Sequence, residues 1–87
     1  MNEIEQLIYE GKADEAIRLL NLYSAKYPAD DTAWYLRGNA YRKKANFRQA
    51  LNNYLKAIEL NPRSPAVQAY AMLMRILDYR NNDGYNP

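Results

Sequence analysis

Apolar residues recur three and four positions apart through most of this 87-residue chain, in blocks set off by glycine, proline and short polar runs. That spacing marks helices with one buried face. From Lys12 to Tyr27 a stripe of apolar residues stands at 13, 16, 17, 20, 23 and 27. Ala50, Leu51, Tyr54, Leu55 and Ile58 make a similar stripe that ends with Leu60. The pattern predicts five helices. The first, Asn2 to Glu10, is short and ends at Gly11, which suits the left-handed position just past a helix. Pro28 stops the second and draws Tyr27 out of helical geometry. Asp30 or Asp31 can cap a third that runs to about Ala45. Asn46 can cap a fourth that Pro62 terminates, and Ser64 a fifth with Pro65 in its first turn. The fifth is expected to reach about Arg80, leaving residues 81–87, rich in breakers, as a flexible tail. No stretch alternates with the period of a strand. Linkers this short make successive helices antiparallel neighbours, so the predicted fold is all-α: two helical hairpins and a final single helix.

The chain also repeats itself. At an offset of 34 residues Leu7 matches Tyr41, Ala16 matches Ala50, Ile17 matches Leu51, Leu20 matches Tyr54 and Pro28 matches Pro62. A fixed period of this length is the signature of stacked units, none of which can bury its apolar face alone. Gly38 points the same way. In mid-helix it costs about 1 kcal/mol relative to alanine, so a close approach must require it. Packing of Gly38 against Ala50 is the expected contact.

Residues 31–64 carry Trp34, Gly38, Tyr41, Ala50, Tyr54, Ala57 and Pro62 at intervals of 4, 3, 9, 4, 3 and 5. In this they resemble one complete tetratricopeptide repeat, W-x2-L-G-x2-Y followed by A-x3-F and P. Arg37 stands in the usual leucine slot, with Leu36 one place early, and Tyr54 replaces phenylalanine. Residues 1–30 resemble a partial repeat that keeps Gly11, Ala16 and Pro28 but has Ile4 where a small residue belongs and Tyr23 where alanine belongs. Residues 65–80 resemble the helix that closes such arrays. The resemblance implies one domain over residues 1–80, a right-handed superhelical stack of antiparallel hairpins. It also implies a protein-interaction module that holds a peptide or partner protein in a concave groove. Carried onto this chain, the groove residues are Tyr35, Asn39, Arg42 and Lys43. Asn39 matches the position whose side chain often holds a bound peptide's backbone. Members that clamp a C-terminal carboxylate have a lysine four residues earlier and an asparagine one repeat later. Here Tyr35 stands in the lysine's place and no asparagine stands one repeat after Asn39, so the clamp is incomplete.

Composition narrows the chemistry. The chain has no cysteine and no histidine, and its only hydroxyl nucleophiles of the serine or threonine type are Ser24, Thr32 and Ser64. Disulfides, thiolate metal sites and a serine–histidine triad are excluded. No catalytic residue, metal or cofactor is expected. The net charge of +2 divides into −4 over residues 1–31 and +6 over residues 32–87. The acidic N-terminus is unlike a signal peptide, and no apolar run approaches the length of a bilayer span. A cytoplasmic protein without membrane contact is the expectation.

Two further surfaces draw interest. Arg37, Arg42, Lys43, Lys44 and Arg48 interleave with Tyr35, Tyr41 and Phe47, a composition that suits an acidic protein or, as the alternative function, a nucleic-acid backbone. Cations in the last turn of a helix also offset its dipole. The final helix is apolar nearly all round. Val67, Ala71 and Met74 are expected to pack on the preceding hairpin. That would leave Ala69, Tyr70, Leu73 and Leu77 as an apolar contact strip for a partner or for a second copy in a homo-oligomer.

Overall fold

A computed structural model describes residues 1–84, which form helices and, among the described residues, no strand. They are α1 (Asn2–Tyr9), α2 (Ala13–Lys26), α3 (Asp31–Lys43), α4 (Phe47–Leu60) and α5 (Ala66–Gly84). Side-chain caps set three of the starts. Asp30 Oδ1 accepts from the Thr32 N–H at 3.0 Å, Asn46 Oδ1 from the Gln49 N–H at 3.3 Å, and Ser64 Oγ from the Ala66 N–H at 3.0 Å. The second Asp30 oxygen accepts from the Tyr23 hydroxyl, which ties α2 to the start of α3. That hydrogen bond to a carboxylate holds the Tyr23 pKa above its ordinary value.

α1 and α3 end in the same way. After α1, Gly11 at φ +84° donates to the Ile8 carbonyl while Lys12 donates to the Leu7 carbonyl. After α3, Ala45 at φ +63° donates to the Arg42 carbonyl while Asn46 donates to the Tyr41 carbonyl. Both are Schellman motifs, which satisfy carbonyls that a helix end leaves open. Each residue of the second motif lies 34 positions after its counterpart in the first. The sequence period is thus a period of backbone geometry. The two differ in strain, because glycine enters the left-handed region freely and alanine does not.

α1 packs on α2 and α3 on α4, and the two hairpins stack through α2 and α3. Ile8, Ala13, Ala16 and Leu20 meet Ala33, Leu36 and Ala40 in one buried cluster. Ala50, Tyr54 and Ala57 of α4 meet Ala66 and Leu73 of α5 in another. Tyr35 packs against both. The contact that demands Gly38 differs from the expected one. The nearest atoms to a Cβ built there are Cδ1 and Cε1 of Tyr54, both at 2.5 Å, not atoms of Ala50. A buried aromatic ring closes against the glycine.

Arg37 also has a role beyond the leucine slot it fills. Its Nε donates to Asn53 Oδ1 at 2.7 Å, its Nη1 to Asn21 Oδ1 at 2.6 Å, and its guanidinium lies 4.4 Å from the Trp34 ring centre. One side chain therefore joins α2, α3 and α4. Burial lowers its pKa. Asn53 is buried and engaged at both ends of its amide, since its Nδ2 donates to the Gln49 carbonyl at 2.8 Å.

α5 departs from expectation twice. It continues to Gly84, past the predicted end near Arg80; of the predicted tail, residues 85–87 lie outside the described residues. Its inward face is also the reverse of the predicted one. Ala66 and Leu73 are buried, and Ala69, Tyr70 and Leu77 pack beside them. Val67 and Met74 stay 41% and 43% exposed. The grouping of residues into faces was right and its direction wrong. Leu73, Tyr70 and Leu77 carry more apolar surface than Val67, Ala71 and Met74, and burial favours the larger set. The alanines at 66 and 69 let the helix come close.

Candidate peptide-binding groove

α1 and α3 leave between them a groove of about 550 Å³, lined by Glu5, Ile8 and Tyr9 from α1 and by Tyr35, Leu36, Asn39, Arg42 and Lys43 from α3. All four residues expected to face a groove line this one. Tyr35, Asn39 and Arg42 share a face because they stand at i, i+4 and i+7. Ile8 and Leu36 form a buried floor, whereas Tyr9 at the rim is 81% exposed. Arg42 and Lys43 are exposed beside it.

The α1 wall escaped the sequence reading, although a signal was present. Glu5, Ile8 and Tyr9 precede Asn39, Arg42 and Lys43 by 34 residues each. Applying the period to the groove residues would have found them. The same shift forward gives Leu73 and Leu77 as the in-register counterparts of Asn39 and Lys43, and Ala69 as that of Tyr35. α5 buries Leu73 and packs Ala69 and Leu77 beside it, so it does not prolong the groove. For the same reason Ala69, Tyr70, Leu73 and Leu77 are no surface strip: Leu73 is 1% exposed. The exposed large apolar residues of α5 are Val67, Met72, Met74, Ile76 and Tyr79.

A polar network ties the groove to the core. The Tyr54 ring is fully buried, and its hydroxyl donates to Asn39 Oδ1 at 2.5 Å. Burial raises the Tyr54 pKa, while the nearby positive charge of Arg42 pulls the other way. An ordinary tyrosine hydroxyl is already protonated at neutral pH, so this one is able to donate.

Two of the five cations of the basic cluster are engaged elsewhere. Arg37 is engaged with Asn53 and Asn21. Lys44 pairs with Asp14 at 2.5 Å, and that hydrogen bond raises its pKa. Arg42 and Lys43 remain in the groove. Among the described residues no group of acidic side chains could hold a metal ion, and no helix is long and apolar enough to cross a membrane.

The family profile described as Tetratricopeptide repeat matches residues 32–64. The chain belongs to the tetratricopeptide-repeat family. The match spans the segment from Thr32 to Ser64 that builds α3, α4 and the turn after them. The chain is similar to Bacteroides fragilis protein BF1650, solved in solution by NMR. The two are 48% identical with a TM-score of 0.88, over 98% of this chain and 87% of that one. It is also similar to an uncharacterized protein of Treponema pallidum (strain Nichols), 36% identical over 69 residues. That match covers 72% of this chain but only 13% of the relative's length. Tetratricopeptide repeats are protein–protein interaction modules, and this helical stack is one in that general sense.

Proposed function

We propose that the α1–α3 groove binds an extended, acidic segment of a partner protein. The observation that carries this is the convergence of two exposed cations and the Asn39 amide beside an apolar floor. Ile8, Leu36, Tyr9 and Tyr35 supply contact area for an apolar side chain. Arg42 and Lys43 supply charge for a carboxylate. Engagement of Arg37 and Lys44 elsewhere counts against a surface that tracks phosphates, so nucleic acid is the weaker candidate. Fluorescence anisotropy with blocked acidic peptides tests the proposal. Tyr35→Ala and Arg42→Ala are each expected to weaken binding by roughly tenfold, about 1.4 kcal/mol, and added salt to weaken it further. Binding that neither substitution changes would refute it.

A second reading concerns the outer side of α5. Large apolar side chains are ordinarily buried, yet Met72 is 55% and Tyr79 71% exposed here. We infer weak pairing with a second copy through that side. Light scattering of the wild type and of Met72→Glu tests it, and a monomer at millimolar concentration would sink it.

A further inference from the structure

We propose that the Tyr54 hydroxyl, beneath the groove, fixes the polarity of the Asn39 amide so that the α3 wall presents donors, which makes the groove select carboxylate-bearing segments over cationic ones. The inference rests on the groove being the peptide site. Tyr54 itself touches no ligand, because its side chain is fully buried; it acts as a positioning residue.

The argument is one of donors and acceptors. The hydroxyl has one hydrogen, and it goes to Asn39 Oδ1 at 2.5 Å. With its oxygen held from the core side, the Asn39 amide turns its NH2 toward the groove. Flipping the amide would leave the Tyr54 hydrogen buried with no acceptor, which is disfavoured. Asn39, Arg42 and Lys43 then offer N–H groups side by side. Across the groove Glu5 supplies a carboxylate that repels an acidic ligand, which confines the ligand's carboxylate to the α3 side. The repeat pattern has phenylalanine where Tyr54 stands, and phenylalanine could pack against Gly38 but could not hold Asn39. The hydroxyl is therefore a device of this chain rather than of the pattern.

The test uses the full chain, 15N-labelled, and three blocked hexapeptides that alternate leucine with glutamate, glutamine or lysine. Wild type is expected to bind the glutamate peptide best, with shifts in the Asn39 side-chain amide resonances. Tyr54→Phe keeps the ring against Gly38; it is expected to lose about five- to tenfold in affinity for the glutamate peptide and most of its preference over the lysine peptide. Asn39→Asp keeps an acceptor for Tyr54 but removes the outward donors, and is expected to reverse the preference. Wild-type selectivity in both variants would overturn the polarity argument while leaving the groove in place as the site. Binding indifferent to Tyr35→Ala as well would bring down the groove reading and this inference together.

Discussion

A single methyl group at Gly38 tests how this stack is held together. A Cβ there would sit 2.5 Å from Cδ1 and Cε1 of Tyr54 and 3.2 Å from Cζ. Carbon atoms in good contact lie about 3.5–4.0 Å apart, so the ring would have to retreat by roughly 1 Å. It has little freedom to do so. It is fully buried, its hydroxyl is bound to Asn39, and the Tyr35 ring lies 6.1 Å away. Overpacking of this kind costs about 1–3 kcal/mol. Losing the hydroxyl's bond adds about 1 kcal/mol, and the better helix propensity of alanine returns about 1 kcal/mol. Gly38→Ala is therefore expected to destabilise by about 2 kcal/mol. In a domain of this size that lowers Tm by roughly 8–16 °C. Thermal unfolding followed by circular dichroism measures it, in wild type and in a Tyr54→Leu background. In that background the same substitution should be neutral or mildly stabilising. A Gly38→Ala protein as stable as wild type would refute the reasoning. A full penalty that persists without the tyrosine ring would do so too, because it would trace the clash to another neighbour.

Five other substitutions test three further features of the stack. Ala45→Gly relieves the positive φ at the end of α3 and should stabilise by about 1 kcal/mol, while Gly11→Ala should lose about as much at the matching place; equal effects in denaturant titrations would refute the strain argument. Arg37→Leu restores the family's usual residue, yet it leaves the buried Asn53 oxygen without its donor, and should lower stability by about 1–2 kcal/mol. Leu73→Ala should cost about 2–4 kcal/mol as a core truncation, whereas Met72→Ala next to it should change stability by under about 0.5 kcal/mol. Similar losses for the two would mean that α5 does not face as described.

The features legible in the sequence were the local ones. A cap needs only a short polar side chain at the right backbone position, and Asp30, Asn46 and Ser64 all cap. A left-handed helix end needs a residue that tolerates positive φ, and Gly11 advertised it. Ala45 did not, although the period of 34 points from Gly11 to it. The groove residues of α3 were legible for a similar reason, since one helix face needs only spacing. What the sequence hid were choices between neighbours. Gly38 announced a close approach without saying whether a methyl group or an aromatic ring would fill it. Arg37 looked like one more cation of a surface cluster. Its clue was Asn53, a polar residue on the stripe between Ala50 and Ala57, which needed a buried partner.

The facing of α5 shows how one such choice decides the shape of the site. The helix is apolar on nearly every side, so hydrophobic periodicity does not say which side turns inward. The stack turns in Leu73, with Ala69 and Leu77 beside it, and these are the residues that would otherwise continue the groove past α3. The groove is therefore confined to the space between α1 and α3. From Tyr35 to Lys43 the helix rises about 12 Å, and an extended chain covers about 3.3 Å per residue. A segment laid along that wall meets it over about four residues. With so short a footprint, selectivity has to come from chemistry concentrated at few atoms. Arg42, Lys43 and the oriented Asn39 amide, clustered above the Tyr54 hydroxyl, provide that concentration.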